Sequence, residues 1–260
     1  MPARRTARER VRAEITREIT DAARARLAAE GAAALSLRAV ARDMGMVSSA
    51  VYRYFGSRDE LLTALIIDGY DAIGEAVEDA DARCRRDDYP GRWLAACRAA
   101  RSWALTHAHE YALIYGSPVP GYQAPADTIA PAARSAAVFG RLISDAWAAG
   151  QLAAPPGGRT GPGTLAGDAR RLRDSILPGV PSDVAIGALT AWAGVFGVIS
   201  FELFGQFTNV VTDTSAYFDR AVGDFGGLFG LPHPELAGGP RRAPGGPETG
   251  RQTAMPSGAR

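Results

Sequence analysis

Two short stretches hold side chains whose types and spacing could do chemistry. The first is Val47-Ser-Ser-Ala-Val-Tyr-Arg-Tyr54. At helical spacing Val47, Val51 and Phe55 fall on one face, and Ser48, Ser49, Tyr52 and Arg53 on the other. Hydroxyls both donate and accept, a phenol can donate to a phosphate, and a guanidinium fits a phosphate or a guanine edge. An α-helix carrying such groups suits the major groove of duplex DNA. The second stretch is His107-Ala-His109-Glu110, which has the residue types of a metal site or a metal-dependent helical enzyme. Its spacing argues against both. Alternate helical residues point apart, so only His107 and Glu110 share a face, and two ligands are too few for a closed zinc site. The sequence holds no nucleophile elbow, Gly-rich phosphate loop or spaced carboxylate pair. Neither a catalytic residue, a bound metal nor a cofactor is expected.

The elements that must position the first stretch are helices punctuated by Gly and Pro. A helix from Val11 to Glu30 carries Ile15, Ile19, Ala22, Ala23 and Leu27 as its apolar stripe and stops at Gly31. Ser36 caps a short helix with Leu37, Val40, Ala41 and Met44 turned inward. Gly45 makes the turn into a third helix beginning at Val47 or Ser48. Ser57 with Asp59 and Glu60 then opens a long helix, a hydroxyl cap followed by acids in the first turn. Three helices around a small core with a glycine turn between the last two make a helix-turn-helix. Ser36 and Arg38, with Tyr54 and Arg58, add donors around the outward face. Arg4, Arg5, Arg8, Arg10 and Arg12 read as a flexible basic arm over residues 1–12, and the helix-turn-helix as residues 13–60. Charge is polarised accordingly. Residues 1–62 hold 12 Arg against 8 acidic residues, and the remainder 17 against 20.

The rest of the chain is also helical, so the fold class is all-α: a three-helix N-terminal domain followed by a larger helical domain over residues 61–235. Expected helices are 92–107, 110–115, 131–150, 170–176, 182–207 and 213–229. The loop Gly116–Tyr122 is stiff and partly apolar, and 154–163 is rich in Gly and Pro. Residues 236–260 offer almost nothing to bury and read as disordered. Cys84 and Cys97 are isolated thiols suited to a reducing cytosol, so the expected location is cytoplasmic. Between Asp183 and Glu202 lie 18 residues without a formal charge, long enough for a membrane span at 184–201. Thr190 and Ser200 interrupt the run, acids stand at both ends and no Arg flanks it. A buried bundle helix, with no membrane contact, is the preferred reading.

Leu35-Ser-Leu-Arg-Ala-Val-Ala-Arg-Asp-Met-Gly-Met46 followed by Ala50-Val-Tyr-Arg-Tyr-Phe-Gly-Ser-Arg-Asp-Glu-Leu-Leu62 resembles the DNA-binding domain of tetracycline-repressor (TetR) family regulators. The resemblance implies an all-helical homodimer that binds a pseudo-palindromic double-stranded DNA operator and answers to a small-molecule effector, most often as a repressor. By that analogy Ser36, Arg38, Ser48, Ser49, Ala50, Tyr52, Tyr54 and Arg58 stand where DNA contacts occur, and Arg53 joins them from the outward face. The chain departs from the pattern at three places. Val47 replaces a common Ser, which moves the helix cap to Ser48; Ser49 replaces a common Gly; and Ala50 replaces a common Thr.

The C-terminal two-thirds is net negative and aromatic. Trp103, Tyr111, Tyr115, Trp147, Trp192 and Phe196 are candidate walls of an apolar ligand pocket, against the alternative that each is simply core. Ala191-Trp-Ala-Gly-Val-Phe-Gly197 resembles the Trp–Gly-bearing C-terminal domain of one TetR subgroup. Residues 134–150 and 182–207 are candidates for the helices that pair two subunits in a four-helix bundle.

Overall fold

The computed structural model describes residues 6–153 and 163–233. Arg4, Arg5, residues 154–162 and the tail from 236 onward, on which some expectations fall, lie outside them. Among the described residues there are ten α-helices: α1 (Ala7–Glu30), α2 (Leu37–Asp43), α3 (Ser48–Val51), α4 (Arg58–Arg83), α5 (Tyr89–Thr106), α6 (Ala108–Tyr115), α7 (Ile129–Ala148), α8 (Gly163–Ser175), α9 (Ser182–Leu203) and α10 (Thr214–Gly227).

Helix α1 begins four residues before the expected Val11. The Thr6 hydroxyl accepts from the Glu9 amide at 3.2 Å, and the Glu9 carboxylate accepts from the Thr6 amide at 2.8 Å. This reciprocal pair satisfies amides that an open helix end would leave exposed. Arg8, Arg10 and Arg12 therefore ride on a helix and are not part of a flexible arm. The other start and stop signals act as their chemistry requires. Ser36 Oγ accepts from the Ala39 amide at 3.2 Å and Ser57 Oγ from the Glu60 amide at 3.1 Å. Gly45 has φ +64, a conformation that favours glycine, and lets the Met46 amide reach back to the Ala41 carbonyl at 2.8 Å. At α3 the cap does not move to Ser48. Val47 takes the cap position in extended backbone, and no side chain among the described residues caps the helix. Because Val47 precedes the helix, its side chain is not on the inward face; it is 72% exposed.

Two cores result. Ile19 and Ala23 of α1, Leu37, Val40 and Ala41 of α2, Val51 and Phe55 pack with Leu61, Leu62 and Leu65 at the start of α4. The expected boundary at residue 60 thus falls inside α4, whose first turns complete the first core while Ile73 and Val77 enter the second. The second core is larger. Trp93 sits edge-on between Phe139 and Phe229, with ring centroids at 5.4 and 5.1 Å, and donates to the Val222 carbonyl at 2.9 Å. Arg92, only 2% exposed, donates to Asp81 at 2.7 Å and to Asp145 at 3.3 Å, tying α4, α5 and α7 together. Arg101 grips Glu202 through two bonds of 2.6 Å, fixing α5 to α9.

Helix α9 is long and apolar enough to cross a membrane. Val184, Ala185, Ala188, Ala191, Val195, Phe196 and Ile199 are instead buried in the second core, so the reading as a span finds no support. Helix α7 buries Val138, Phe139, Leu142, Ile143 and Ala146 within its own subunit. Its main apolar face is therefore used up internally, as is that of α9, which keeps a second, exposed apolar row with Leu189 and Phe201.

Candidate nucleic-acid interface

The helix-turn-helix is positioned from beneath and held from the side. Val51 and Phe55 anchor the α3 segment in the first core, which turns its other face to solvent. Among the predicted contact residues Arg38, Ser49, Tyr52 and Arg53 are exposed, Tyr52 by 44%. Ser36, Ser48, Ala50, Tyr54 and Arg58 are half-buried at the edge of the same face. Ser36 spends its hydroxyl on the cap of α2. Tyr54 packs against the core with the Arg12 guanidinium over its ring at 5.1 Å, and Arg12 also donates to the Arg53 carbonyl at 3.4 Å. Helix α1 is thereby braced to the segment after α3.

Arg58 is turned inward. It donates to the Leu35 carbonyl at 3.0 Å and to the Ala32 carbonyl at 2.9 Å, satisfying acceptors in the α1–α2 connection. On α1, Arg26 binds Asp43 at 2.9 Å, and that hydrogen bond holds the Asp43 carboxyl below the usual carboxylate range. The acid nearest α2's end is thus neutralised by a partner. Arg38 and Arg53, in contrast, enter no ion pair among the described residues. Two features were not anticipated. A crevice between α1 and the α3 segment is lined by Arg8, Arg12 and Arg53 together with Val11 and Ala50, and Val47 stands exposed at the start of α3. The Thr6–Glu9 spacing was the available signal for the first, because it carries α1 out to Arg8. The result is a basic and hydroxyl-bearing face, whose groups can meet phosphates and base edges.

Comparison with known proteins agrees with this geometry. A family profile described as bacterial regulatory proteins, tetR family, matches residues 19–65, and one described as tetracyclin repressor-like, C-terminal domain, matches residues 93–225. The HTH-type transcriptional regulator Rv1816 of Mycobacterium tuberculosis is 41% identical over 220 residues, covering 83% of this chain and 91% of that protein; Mb1846 of Mycobacterium bovis matches to the same extent. The chain belongs to the TetR family. It is a DNA-binding transcriptional regulator. A crystal structure of the regulatory protein SCO4313 superposes with a TM-score of 0.68 at 38% identity, covering 85% of this chain and 98% of that one. A protein of unknown function from Rhodococcus sp. RHA1, at TM-score 0.62 and 24% identity over 89% of this chain and 98% of its own, shares the fold.

In this TetR-family chain the aromatic candidates divide. Tyr111, Tyr115, Phe196 and Trp192 form one cluster, with ring centroids at 5.1, 4.6 and 4.9 Å in succession. The Tyr111 hydroxyl donates to the Phe196 carbonyl at 3.1 Å and lies 2.9 Å from Ser200 Oγ; burial pushes the phenol pKa up, opposed by the Ser200 bond. Trp103 stacks on His107 at 5.1 Å, and Trp147 is exposed at the end of α7. A cavity of about 220 Å³ between α7, α8 and α9 touches only Trp192 of the six. His107 and His109 do not converge. His107 Nδ1 faces the Trp103 carbonyl at 3.0 Å, and Glu110 pairs with Arg24 at 3.3 Å. Among the described residues no three metal-ligating groups come together.

Besides α4, which enters both cores, side-chain contacts join the regulator's halves. Val119 and Tyr122 of the 116–122 loop pack on the first core, and the Tyr122 hydroxyl lies 2.9 Å from Thr63 Oγ1. Arg24 of α1 reaches Asp68 of α4 as well as Glu110 of α6.

Proposed function

We infer that the chain is a cytoplasmic, homodimeric, ligand-responsive repressor of a nearby pseudo-palindromic operator, with no catalytic role. The observation that carries the DNA part is the exposed Arg38, Ser49, Tyr52 and Arg53 face. Ser48, Ser49 and Tyr52 read base edges, with Ala50 offering a methyl contact. Arg38, Arg53, Ser36 and Tyr54 meet phosphates. Arg58 serves the surface by holding the carbonyls that orient α2.

The dimer reading draws support from α9 and α10. Leu189, Ala193, Gly197 and Phe201 recur every four residues along α9 and are exposed. Phe201, Phe207 and Tyr217 continue this apolar surface onto α10 through ring contacts of 5.9 and 5.2 Å. Small residues at its centre suit close helix approach. Pairing therefore joins α9 with α10, in place of the α7–α9 combination expected from sequence. Two-fold symmetry then spaces the α3 segments for successive major grooves about 34–36 Å apart. An effector in the C-terminal domain would change that spacing through α4, α6 and the docked 116–122 loop, and only by the difference in its affinity for the two states.

The test is binding of the purified chain to the DNA upstream of its own gene. The expected result is two protomers per site and much weaker binding to an isolated half-site. Equal affinity for the half-site would overturn the dimeric reading; wild-type affinity in Tyr52→Ala would overturn the placement of the DNA face.

A further inference from the structure

The cavity between α7, α8 and α9 holds about 220 Å³. Phe139 and Ile143 of α7, Leu172 and Ile176 from the end of α8, and Leu189 and Trp192 of α9 wall it, and no charged residue among the described ones lines it. The cavity is half-open, yet a charged ligand would lose part of its hydration there with no counter-charge in return. Trp192 brings the one side-chain donor among the lining residues. Its Nε1 is buried, has no hydrogen-bond partner among the described residues, and is reached by a ligand in the cavity only if the indole turns as the ligand enters. The fully buried indole of Trp93, by contrast, is satisfied by Val222. Trp103 Nε1 is also unpartnered, but Trp103 does not line the cavity.

The walls differ in how firmly they are set. Helix α8 buries only Ala169 and turns Asp168, Arg170, Arg171 and Asp174 to solvent, so it is lightly seated. Its far end is fixed by Gly140 of α7, where an added Cβ would lie 2.4 Å from the Ile176 carbonyl oxygen. A wall anchored at one end can admit a molecule without unpacking α7 or α9. An apolar cavity of about 150 Å³ accepts benzene, so this one scales to about nine non-hydrogen atoms.

We propose that this cavity is the effector site, and that it takes an uncharged, mainly hydrocarbon molecule with one carbonyl oxygen accepting a hydrogen bond from Trp192 Nε1. The assignment rests on the ligand-responsive reading above, and it places the ligand beside the apolar stripe of α9. It sets the Tyr111–Tyr115 cluster aside as core.

Three matched probes test it by calorimetry on the purified full chain: acetophenone, n-propylbenzene and benzoate. Acetophenone and propylbenzene should bind and benzoate should not. Trp192→Phe, which keeps the ring and removes the donor, should weaken acetophenone about tenfold and leave propylbenzene within about twofold. Ala136→Phe, which fills the cavity from α7, should abolish both while circular dichroism stays that of the wild type. Absence of binding by both neutral probes would overturn the site. So would equal losses in Trp192→Phe, benzoate binding as well as the others, or operator release by acetophenone that survives Ala136→Phe. If the neutral probes bind with the expected responses and operator affinity never changes, the cavity chemistry stands and the ligand-responsive reading fails.

Discussion

The α2–α3 face and the α9–α10 face are both turned outward, yet their chemistry is opposite. The first presents Arg38, Ser49, Tyr52 and Arg53, groups that stay hydrated until they meet a charged, hydrogen-bonding partner. The second presents Leu189 at 46% exposure and Phe201 at 54%, with Ala193 and Gly197 between them. Apolar surface of this kind lowers its free energy by contact with similar surface, and scattered single residues would not form a stripe. A hydrophilic polyanion suits the one and a second copy of the chain suits the other. The difference also separates two kinds of failure. A change on the apolar face should uncouple the two reading heads, whereas a change on the polar face should weaken each head singly.

The largest expected effect comes from Gly197→Glu. In the isolated subunit an added Cβ at this position meets nothing within 4 Å among the described residues, so folding of one chain is not obstructed. Between two copies a buried carboxylate would face its symmetry mate. Sedimentation should show monomers, and operator affinity should fall by about 100-fold or more, because the second head no longer binds as an intramolecular event. A dimer that persists with normal affinity would place the subunit contact elsewhere.

Next comes Arg92→Ala, which separates loss of fold from loss of either face. It leaves Asp81 buried with one partner fewer and should cost about 3 kcal/mol, read by denaturant unfolding. Burial pushes the Asp81 carboxyl up, but hydrogen bonds from Arg92 and Arg86 outweigh it and hold it below its ordinary 3.8. A depressed carboxyl contributes stability above the unfolded value and loses it as pH falls through the folded value. The wild type should therefore lose stability below about pH 4, and Arg92→Ala should lose less over that range. An unchanged acid profile in the variant would show that Asp81 is not the group titrating.

How much of this was legible depends on how local the cause is. Ser36, Gly45 and Ser57 act on amides within a few residues, and their roles follow from type and position. The buried set Ile19, Val40, Val51, Phe55, Leu61 and Leu62 follows from helical periodicity. Val47 was misread as inward because the period was extended one residue beyond the helix that generates it. The Thr6–Glu9 cap was present in the sequence, but the surrounding arginines made the segment look like an arm. Other features depend on which carbonyl or helix arrives from far along the chain. Arg58 is turned inward because Ala32 and Leu35, more than twenty residues away, offer acceptors. No spacing rule shows that Trp192 borders a cavity while Tyr111 is locked to Phe196 and Ser200; only the packing of α6 to α9 decides that.

A smaller effect is expected from Tyr52→Ala on the polar face. Its ring is partly exposed and has no structural partner to lose among the described residues, so stability and dimerisation should hold. Operator affinity should drop about tenfold, with discrimination against a mutated operator reduced alongside it. Equal losses on operator and on unrelated DNA would move Tyr52 from base reading to the phosphate rim.

The smallest effect, and the one that best sharpens the contrast between the faces, is Arg38→Ala. Arg38 is exposed and enters no ion pair among the described residues, so its removal should leave folding and dimerisation unaltered. If it neutralises one phosphate, affinity should fall only a few-fold near physiological salt. The slope of log affinity against log salt should then flatten by about 0.9 per head, or twice that for the dimer. The loss should be the same on operator and non-operator DNA, because a phosphate contact does not read sequence. Phe201→Ala on the apolar face makes the complementary measurement: it should weaken dimerisation and leave the salt slope of the remaining dimer unchanged. A flattened slope in Phe201→Ala, or an unflattened one in Arg38→Ala, would mean that the two faces do not divide the work between a polyanion and a second subunit.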